Sequence, residues 1–248
     1  MSDWRANKDR FYKIQRDSFD NFASRLKKED FFKESTALKG EYKTILDLIK
    51  NPKQKRVLDV GCGSGRYSLR IAKIVKMVIG IDISRKSIEY ANKTAKAYGI
   101  GNFTGKVNSF QRSIYHKYFD YILLVDTIHH VKDLNKLLQN SRKALKDSGT
   151  LIIFEPNHFN LLFIPFLILI GQIDSHLNKE YLRSNKFSLL NYLKNNGWKV
   201  SSYKRYAFFP TLLYNYIPVF QTINLFLNRI PVINMFCAFN ILECKKKN

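Results

Sequence analysis

Between residues 56 and 156 the chain alternates short apolar runs with amphipathic stretches. The runs Arg56–Val60, Met77–Ile81, Asn102–Val107, Tyr121–Val125 and Thr150–Phe154 have the length and content of buried strands. Between them the apolar residues recur at helical spacing. A helix is expected over about 66–75, a second over about 84–98 and a third over about 133–145, the last with Leu134, Leu137, Leu138 and Leu145 along one side. Ser84 is a good N-cap for the second, and Gly99 closes it. Strands that alternate with helices imply parallel pairing, so the pattern predicts an α/β fold with a doubly wound sheet.

The two ends read differently. Residues 4–34 mix aromatics (Trp4, Phe11, Tyr12, Phe19, Phe22, Phe31, Phe32) with many charges. This predicts one or two short helices, either a cap on the main domain or a loosely packed extension. Tyr42, Ile45, Leu46 and Ile49 then mark a helix over residues 39–50 that Asn51-Pro52 ends. Near the other end, Ser188–Asn196 reads as a helix stopped by Gly197, Trp198–Tyr206 as a strand, and Cys237–Lys246 as a final strand. Residues 160–173 are strongly apolar, with Pro165 among them, and residues 207–242 carry a single charge, Arg229. The latter stretch is interrupted by Asn215, Pro218, Gln221, Asn224, Asn228, Pro231 and Asn234, which suggests two short helices with an uncharged polar face. Neither stretch reads as a bilayer span. The organisation expected is an N-terminal cap over residues 1–56 and one domain over 57–248, with apolar insertions at about 158–173 and 207–236.

Composition changes this picture in two respects. With 42 Lys+Arg against 20 Asp+Glu, the formal net charge is +22, and the excess is spread along the whole chain. That favours a general attraction to anionic partners over a single nucleic-acid-binding tail, although a compositional bias of the source would give the same count. The three cysteines, Cys62, Cys237 and Cys244, have neither disulfide nor zinc spacing. The charged N-terminus shows no secretory signal, so a reducing, cytoplasmic compartment is expected.

The candidate chemistry centres on Val57–Gly65, VLDVGCGSG. A buried strand runs into a loop with glycine at every second position, and a helix is expected to open near Arg66. Such a loop brings backbone N–H groups close to a ligand. A dinucleotide site would place a further glycine where this chain has Arg66. Asp59 would repel a pyrophosphate but suits a ligand with an ammonium group, such as S-adenosylmethionine. Asp82, at the end of the second strand in IGIDIS, is placed to accept hydrogen bonds from ribose hydroxyls.

VLDVGCGSG resembles the first motif of the class I S-adenosylmethionine-dependent methyltransferases, IGIDIS their second, and FDYILLVDTIHHV (Phe119–Val131) their fourth. KFSLLNYLKNNGWKV looks like their late helix and sixth strand. The resemblance implies a Rossmann-like, seven-stranded sheet with its last strand antiparallel. It implies that Asp59, Gly61, Cys62, Gly63 and Gly65 hold the methionine end of the cofactor, that Asp82 holds the ribose, and that Ile83 packs on the adenine. The family usually has an acid and a small residue beyond the third strand. This chain has Asn108 and Ser109 there, and the adenine contact passes to them with the charge lost. Asp126 would flank the methionine portion or the acceptor. His130, and after it His129, are candidate bases, needed only where the acceptor must lose a proton. The resemblance also gives the N-terminal segment the role of a lid over the cofactor. Asp59, Asp82, Asp126, His129 and Glu155 are expected along one rim, with Asn157 and His158 beyond. Nothing in their spacing requires a metal.

The Asn/Asp-Pro-Pro-aromatic string of amino-methylating nucleic-acid enzymes is replaced here by Asp126-Thr127-Ile128-His129, and no cysteine lies near the fourth or fifth strand. Both features argue against base methylation. The expected activity is methyl transfer to a small, hydrophobic or lipid-linked acceptor. The apolar last third would form an acceptor pocket, a contact with an anionic membrane surface as a peripheral protein, or a homodimer interface. The alternatives are an RNA methyltransferase or RNA-binding protein using the basic surface, and a non-catalytic cofactor-binding scaffold.

Overall fold

In the computed structural model the described residues are 2–24, 26, 31–32, 36–110, 114–157, 159–160, 162, 165, 186–209, 219–227 and 230–247. The strands are β1 (Arg56–Val60), β2 (Met77–Asp82), β3 (Phe103–Val107), β4 (Phe119–Val125), β5 (Leu145–Pro156), β6 (Trp198–Tyr206) and β7 (Phe239–Lys246). They form one sheet in the order β3-β2-β1-β4-β5-β7-β6. Pairing is parallel from β3 to β5, and β7 runs antiparallel to both β5 and β6. This is the expected doubly wound, Rossmann-like sheet of seven strands with the last antiparallel. Strand order reverses between β1 and β4, the point at which open α/β sheets form a ligand crevice beyond the carboxyl ends of their strands.

Parallel strands need crossover helices, so both faces of the sheet are covered. The helices are α1 (Ser2–Ser24), α2 (Thr36–Leu46), α3 (Ser68–Ala72), α4 (Arg85–Ala97), α5 (Leu134–Ala144), α6 (Lys186–Asn195), α7 (Val219–Leu227) and α8 (Pro231–Asn234). Alternation along β1 divides the core. Val57 packs with Leu69 and Ile71 near α3, Ala91 and Ala95 of α4, and Tyr42 and Ile45 of α2. Leu58 and Val60 pack on the opposite face with Leu134, Leu137 and Leu138 of α5 and Leu189 and Leu193 of α6. Each such fully buried leucine contributes about 1.5–3 kcal/mol of hydrophobic burial.

Several boundaries depart from the sequence pattern. The N-terminal segment is one 23-residue helix, not one or two short ones. Phe11 and Phe19 lie about two turns apart, so they share one face, and that face meets Lys132 and His130 of the main domain. The helix after the glycine loop does not begin at Arg66. Turns continue to Tyr67, and α3 has five residues. Strand β5 starts at Leu145 rather than Thr150, with a register shift against β4 between Phe119 and Tyr121.

The apolar insertion at 158–173 lies outside the described residues except for 159, 160, 162 and 165, and His158 is among those outside. In the C-terminal insertion the two short helices are α7 and α8, but their polar residues do not all make an outward face. Asn224 is buried and accepts the Phe208 N–H, while Val219, Ile223 and Phe226 of the same helix are exposed. Buried asparagines hold the region together. Asn157 donates through Nδ2 to the carbonyls of Met235 (3.0 Å) and Cys237 (2.7 Å), and Asn160 to those of Phe208 (2.7 Å) and Phe236 (2.5 Å). Each amide thus ties two backbone carbonyls of the C-terminal segment to the end of β5. Among the described residues no helix is long and apolar enough to cross a membrane.

Asn157→Ala removes both hydrogen bonds and is expected to destabilise the fold by about 1–3 kcal/mol. Asn157→Asp loses the same donors and buries a charge, so it should cost more. Urea denaturation of the two variants against wild type measures both, and equal midpoints for Asp and Ala would contradict this reading.

Candidate active site

The site is built where the glycine loop folds back over β2. The N–H groups of Gly61 and Cys62 both donate to the Ile81 carbonyl, at 2.8 and 3.1 Å, and Gly63 N–H donates to Asp82 Oδ2 at 2.9 Å. Gly61, Gly63 and Gly65 all have positive φ (76°, 51° and 85°). Two of the three are also demanded by packing. A Cβ on Gly61 would lie 2.5 Å from Thr127 Oγ1, and one on Gly65 3.1 Å from Leu69 and 3.2 Å from Ala91. Gly63 faces open space, with nothing within 4 Å of a Cβ placed there. That is the point at which the loop can receive a ligand. The Cys62 side chain is buried against Gly80, and its N–H and carbonyl are taken up by Ile81 and Gly65, so it serves the loop's shape.

Asp59 is enclosed beneath the loop rather than presented at its mouth. It is 2% exposed, and Ser68 Oγ donates to its Oδ2. Burial pushes its carboxyl up to about 6, against the Ser68 hydrogen bond and helped by the nearby Asp82. Asp82 closes β2. Its Oδ1 accepts from Ser84 N–H at 2.8 Å while Oδ2 holds Gly63. Burial raises its pKa too, opposed by these backbone donors. Ile83, half-buried, is the next residue along. Asn108 and Ser109 are exposed beyond β3, beside Asp82, whose carbonyl accepts the Asn108 N–H at 2.8 Å. Asn108 Oδ1 already accepts the Phe110 N–H at 2.6 Å, so the amide oxygen expected to meet an adenine amino group is shared with the loop's own turn.

Across the crevice, Asp126 follows β4 with φ 54°, a left-handed conformation that costs a non-glycine residue about 1–2 kcal/mol. Its N–H donates to the Phe154 carbonyl at 2.8 Å, and its side chain is 52% exposed. The 3-10 turn Ile128–His130 comes next. His129 is 1% exposed, with Nδ1 2.8 Å from Glu155 Oε2 and Nε2 3.7 Å from Asp126 Oδ1. His130 is half-buried, its ring 4.0 Å from that of His129 and edge-on to Phe19 of α1 at 5.1 Å.

Asp59 and Asp82 thus lie on the β1–β2 side of the strand-order reversal and Asp126 and the two histidines on the β4 side, with Asp59 and His129 buried rather than open to a ligand, and three features were missed from the sequence. Glu155 is not a rim ligand. It is wholly buried, and its Oε1 accepts the N–H groups of Thr127 and Ile128, both at 2.6 Å. An acid at the end of an otherwise apolar strand was the available signal. The second feature is Ser68 as the partner of Asp59. The third is the pair of contacts by which the N-terminal segment, expected as a lid, reaches the main domain, made by the adjacent residues Phe19 and Asp20 of α1. Phe19 meets His130, and Asp20 Oδ1 accepts from Ser84 Oγ (2.5 Å) and Lys86 N–H (3.2 Å). Among the described residues no three His, Cys, Asp or Glu side chains gather as a metal site.

Two expectations follow from this geometry. Gly63→Ala should cost only its backbone strain, about 1–2 kcal/mol, whereas Gly61→Ala adds the clash with Thr127 and should cost clearly more. Chemical denaturation ranks them, and the reverse order would overturn the packing argument. Asp59, with its folded pKa raised, gives stability that is present at low pH and lost as pH rises through about 6. Asp59→Asn should therefore stabilise the ligand-free protein at pH 7.5 by up to about 3 kcal/mol, with the gain shrinking toward pH 4. Melting curves at several pH values test this.

A family model described as a methyltransferase domain matches residues 51–197. A ubiquinone biosynthesis O-methyltransferase of Pelagibacter ubique is 36% identical over 101 residues, 41% of this chain and 42% of that protein. A demethylmenaquinone methyltransferase of Tropheryma whipplei is 30% identical over 112 residues, 45% of this chain and 46% of that one. The chain thus spans a little under half the length of these curated relatives. A solved structure of a SAM-dependent methyltransferase from Aquifex aeolicus superposes with a TM-score of 0.59 at 14% identity, over 89% of this chain and 99% of that chain, a likeness of fold. With a matching family model over more than half its length and the sheet order described above, this chain belongs to the methyltransferase-domain family and has the fold of its class I, S-adenosylmethionine-dependent members.

Proposed function

We propose that this protein transfers the methyl group of S-adenosylmethionine to a small hydrophobic acceptor of quinone type. The observation that carries the cofactor assignment is Asp82, a carboxylate at the tip of β2 beside a glycine loop whose Gly63 faces open space. The residues fit the cofactor. The loop N–H groups of Gly61, Cys62, Gly63 and Gly65 are spent within the protein, so the methionine end would lie along the open face of the loop at Gly63 with Asp59 beneath it, and the raised Asp59 pKa would fall again when an ammonium group pairs with it. Asp82 keeps lone pairs for the ribose hydroxyls beyond those used by Gly63 and Ser84. Ile83 would hold the adenine by apolar contact, and Asn108 and Ser109 would meet its polar edge. When bound, the cofactor supplies an electrophilic methyl group on a sulfonium. Asp126 and His130 then lie on the acceptor side of the crevice, where His130 accepts the acceptor's proton if it has one to lose. Phe19 and Asp20 of α1 close the crevice from above and exclude water.

The quinone class of acceptor rests on the names of the two curated relatives, and on the apolar character of the chain beyond β5. The exposed Val219, Ile223 and Phe226, together with the net charge of +22, support an acceptor presented at an anionic membrane surface.

Asp82→Asn removes the charged acceptor of the ribose hydroxyls and should weaken S-adenosylmethionine binding about 10–100-fold without unfolding the chain. Wild-type affinity should fall as pH drops below about 6, where Asp59 takes up a proton. Calorimetry reads both, and unchanged affinity in the variant sinks the cofactor assignment. For the acceptor, the protein is incubated with methyl-labelled S-adenosylmethionine and quinone-ring precursors, with total RNA in a parallel arm. Label in the ring compounds is the expected result, and label in RNA alone overturns the acceptor class.

A further inference from the structure

The strained Asp126 and the buried Glu155 are joined twice. Through the backbone, the two residues after Asp126, Thr127 and Ile128, donate their N–H groups to Glu155 Oε1. Through side chains, His129 stands between them, with Nδ1 on Glu155 Oε2 at 2.8 Å and Nε2 3.7 Å from Asp126 Oδ1. We propose that Glu155 is a positioning residue that holds His129 as a fixed imidazolium bridging to Asp126, and so presets the Asp126 carboxylate at the acceptor side of the crevice. This rests on the methyl-transfer reading above and sharpens it. An imidazolium has no lone pair with which to take a proton, so His129 is removed as a base, and His130 and Asp126 remain.

The surroundings agree. Burial lowers the His129 pKa, but Glu155, by charge and by hydrogen bond, and then Asp126 outweigh it, and the net direction is up. Among the described residues, the other groups facing this cluster are His130 on the same turn, Phe19 of α1, and Arg66 and Tyr67 in the turns after the glycine loop, both of which feel the Asp126 charge. The left-handed backbone at Asp126 is maintained because the donors on either side are anchored, its own N–H on Phe154 and the next two on Glu155.

The test is Glu155→Gln. The glutamine oxygen still accepts from Thr127 and Ile128, but its NH₂ faces Nδ1 and removes the carboxylate that keeps the imidazole charged. Nitrogen-15 NMR of the ring should show wild-type His129 doubly protonated through pH 7 and singly protonated in the variant. The variant kcat should fall at least tenfold, while the calorimetric Kd for S-adenosylhomocysteine stays within twofold. If Glu155→Gln fails to fold, Asp126→Asn gives the reading instead. It keeps the left-handed backbone, and loss of the Asp126 charge should lower the His129 titration midpoint. A wild-type His129 that is neutral at pH 7, or one whose protonation is indifferent to both variants, overturns the proposal. The NMR result stands whether or not the protein turns over a methyl donor, so a failure of the methyl-transfer reading is seen separately, as a wild type that binds no S-adenosylhomocysteine.

Discussion

The site depends on how the glycine loop is pinned to the end of β2. Three successive N–H groups, of Gly61, Cys62 and Gly63, are taken up by the Ile81 carbonyl and the Asp82 carboxylate. This arrangement is available only because β1 and β2 are parallel neighbours in register, with Val60 opposite Ile81. It also requires the loop to turn immediately after β1, which the positive φ of Gly61 permits. Once the loop is pinned, Gly61 lies against Thr127 and the loop reaches the far side of the strand-order reversal. The glycine loop is therefore a fastener between β2 and the turn after β4 as well as a cradle for a ligand.

This double duty explains what could be read from the chain beforehand. The sheet was legible because its strands are continuous apolar runs separated by capped helices. Ser84 caps α4 by accepting from Ser87 N–H, and Gly99 and Gly197 end their helices with positive φ. The crevice residues were legible because acids and histidines stand at the ends of apolar strands. Their roles were less so. Asp59 sits at the loop mouth in sequence but is roofed by the loop in space, because α3 brings Ser68 over it. Glu155 looked like one more rim acid until its three donors, from Thr127, Ile128 and His129, were in place. No local pattern records a contact between residues 26 to 28 apart. The same holds for α1, whose mixed aromatics and charges made no apolar stripe but meet a ring and a helix start across the crevice.

The two buried carboxylates show how similar residues are put to different uses. Asp59 is met by one hydroxyl donor, and burial raises its pKa toward the working range. Such a group is poised for a cationic ligand, since pairing recovers the cost of its charge. Glu155 is met by two backbone N–H groups and an imidazole. It has no need of a ligand, and it serves the fold by anchoring a strained turn. Placed on opposite sides of the strand-order reversal, one carboxylate leaves its side of the crevice incomplete until a ligand arrives, while the other keeps the opposite side rigid. A displacement reaction needs both, because alignment is what lowers its barrier. Recognition of a cationic ligand gains from a carboxylate that still lacks a charged partner, and alignment gains from a turn whose N–H groups are anchored on both sides.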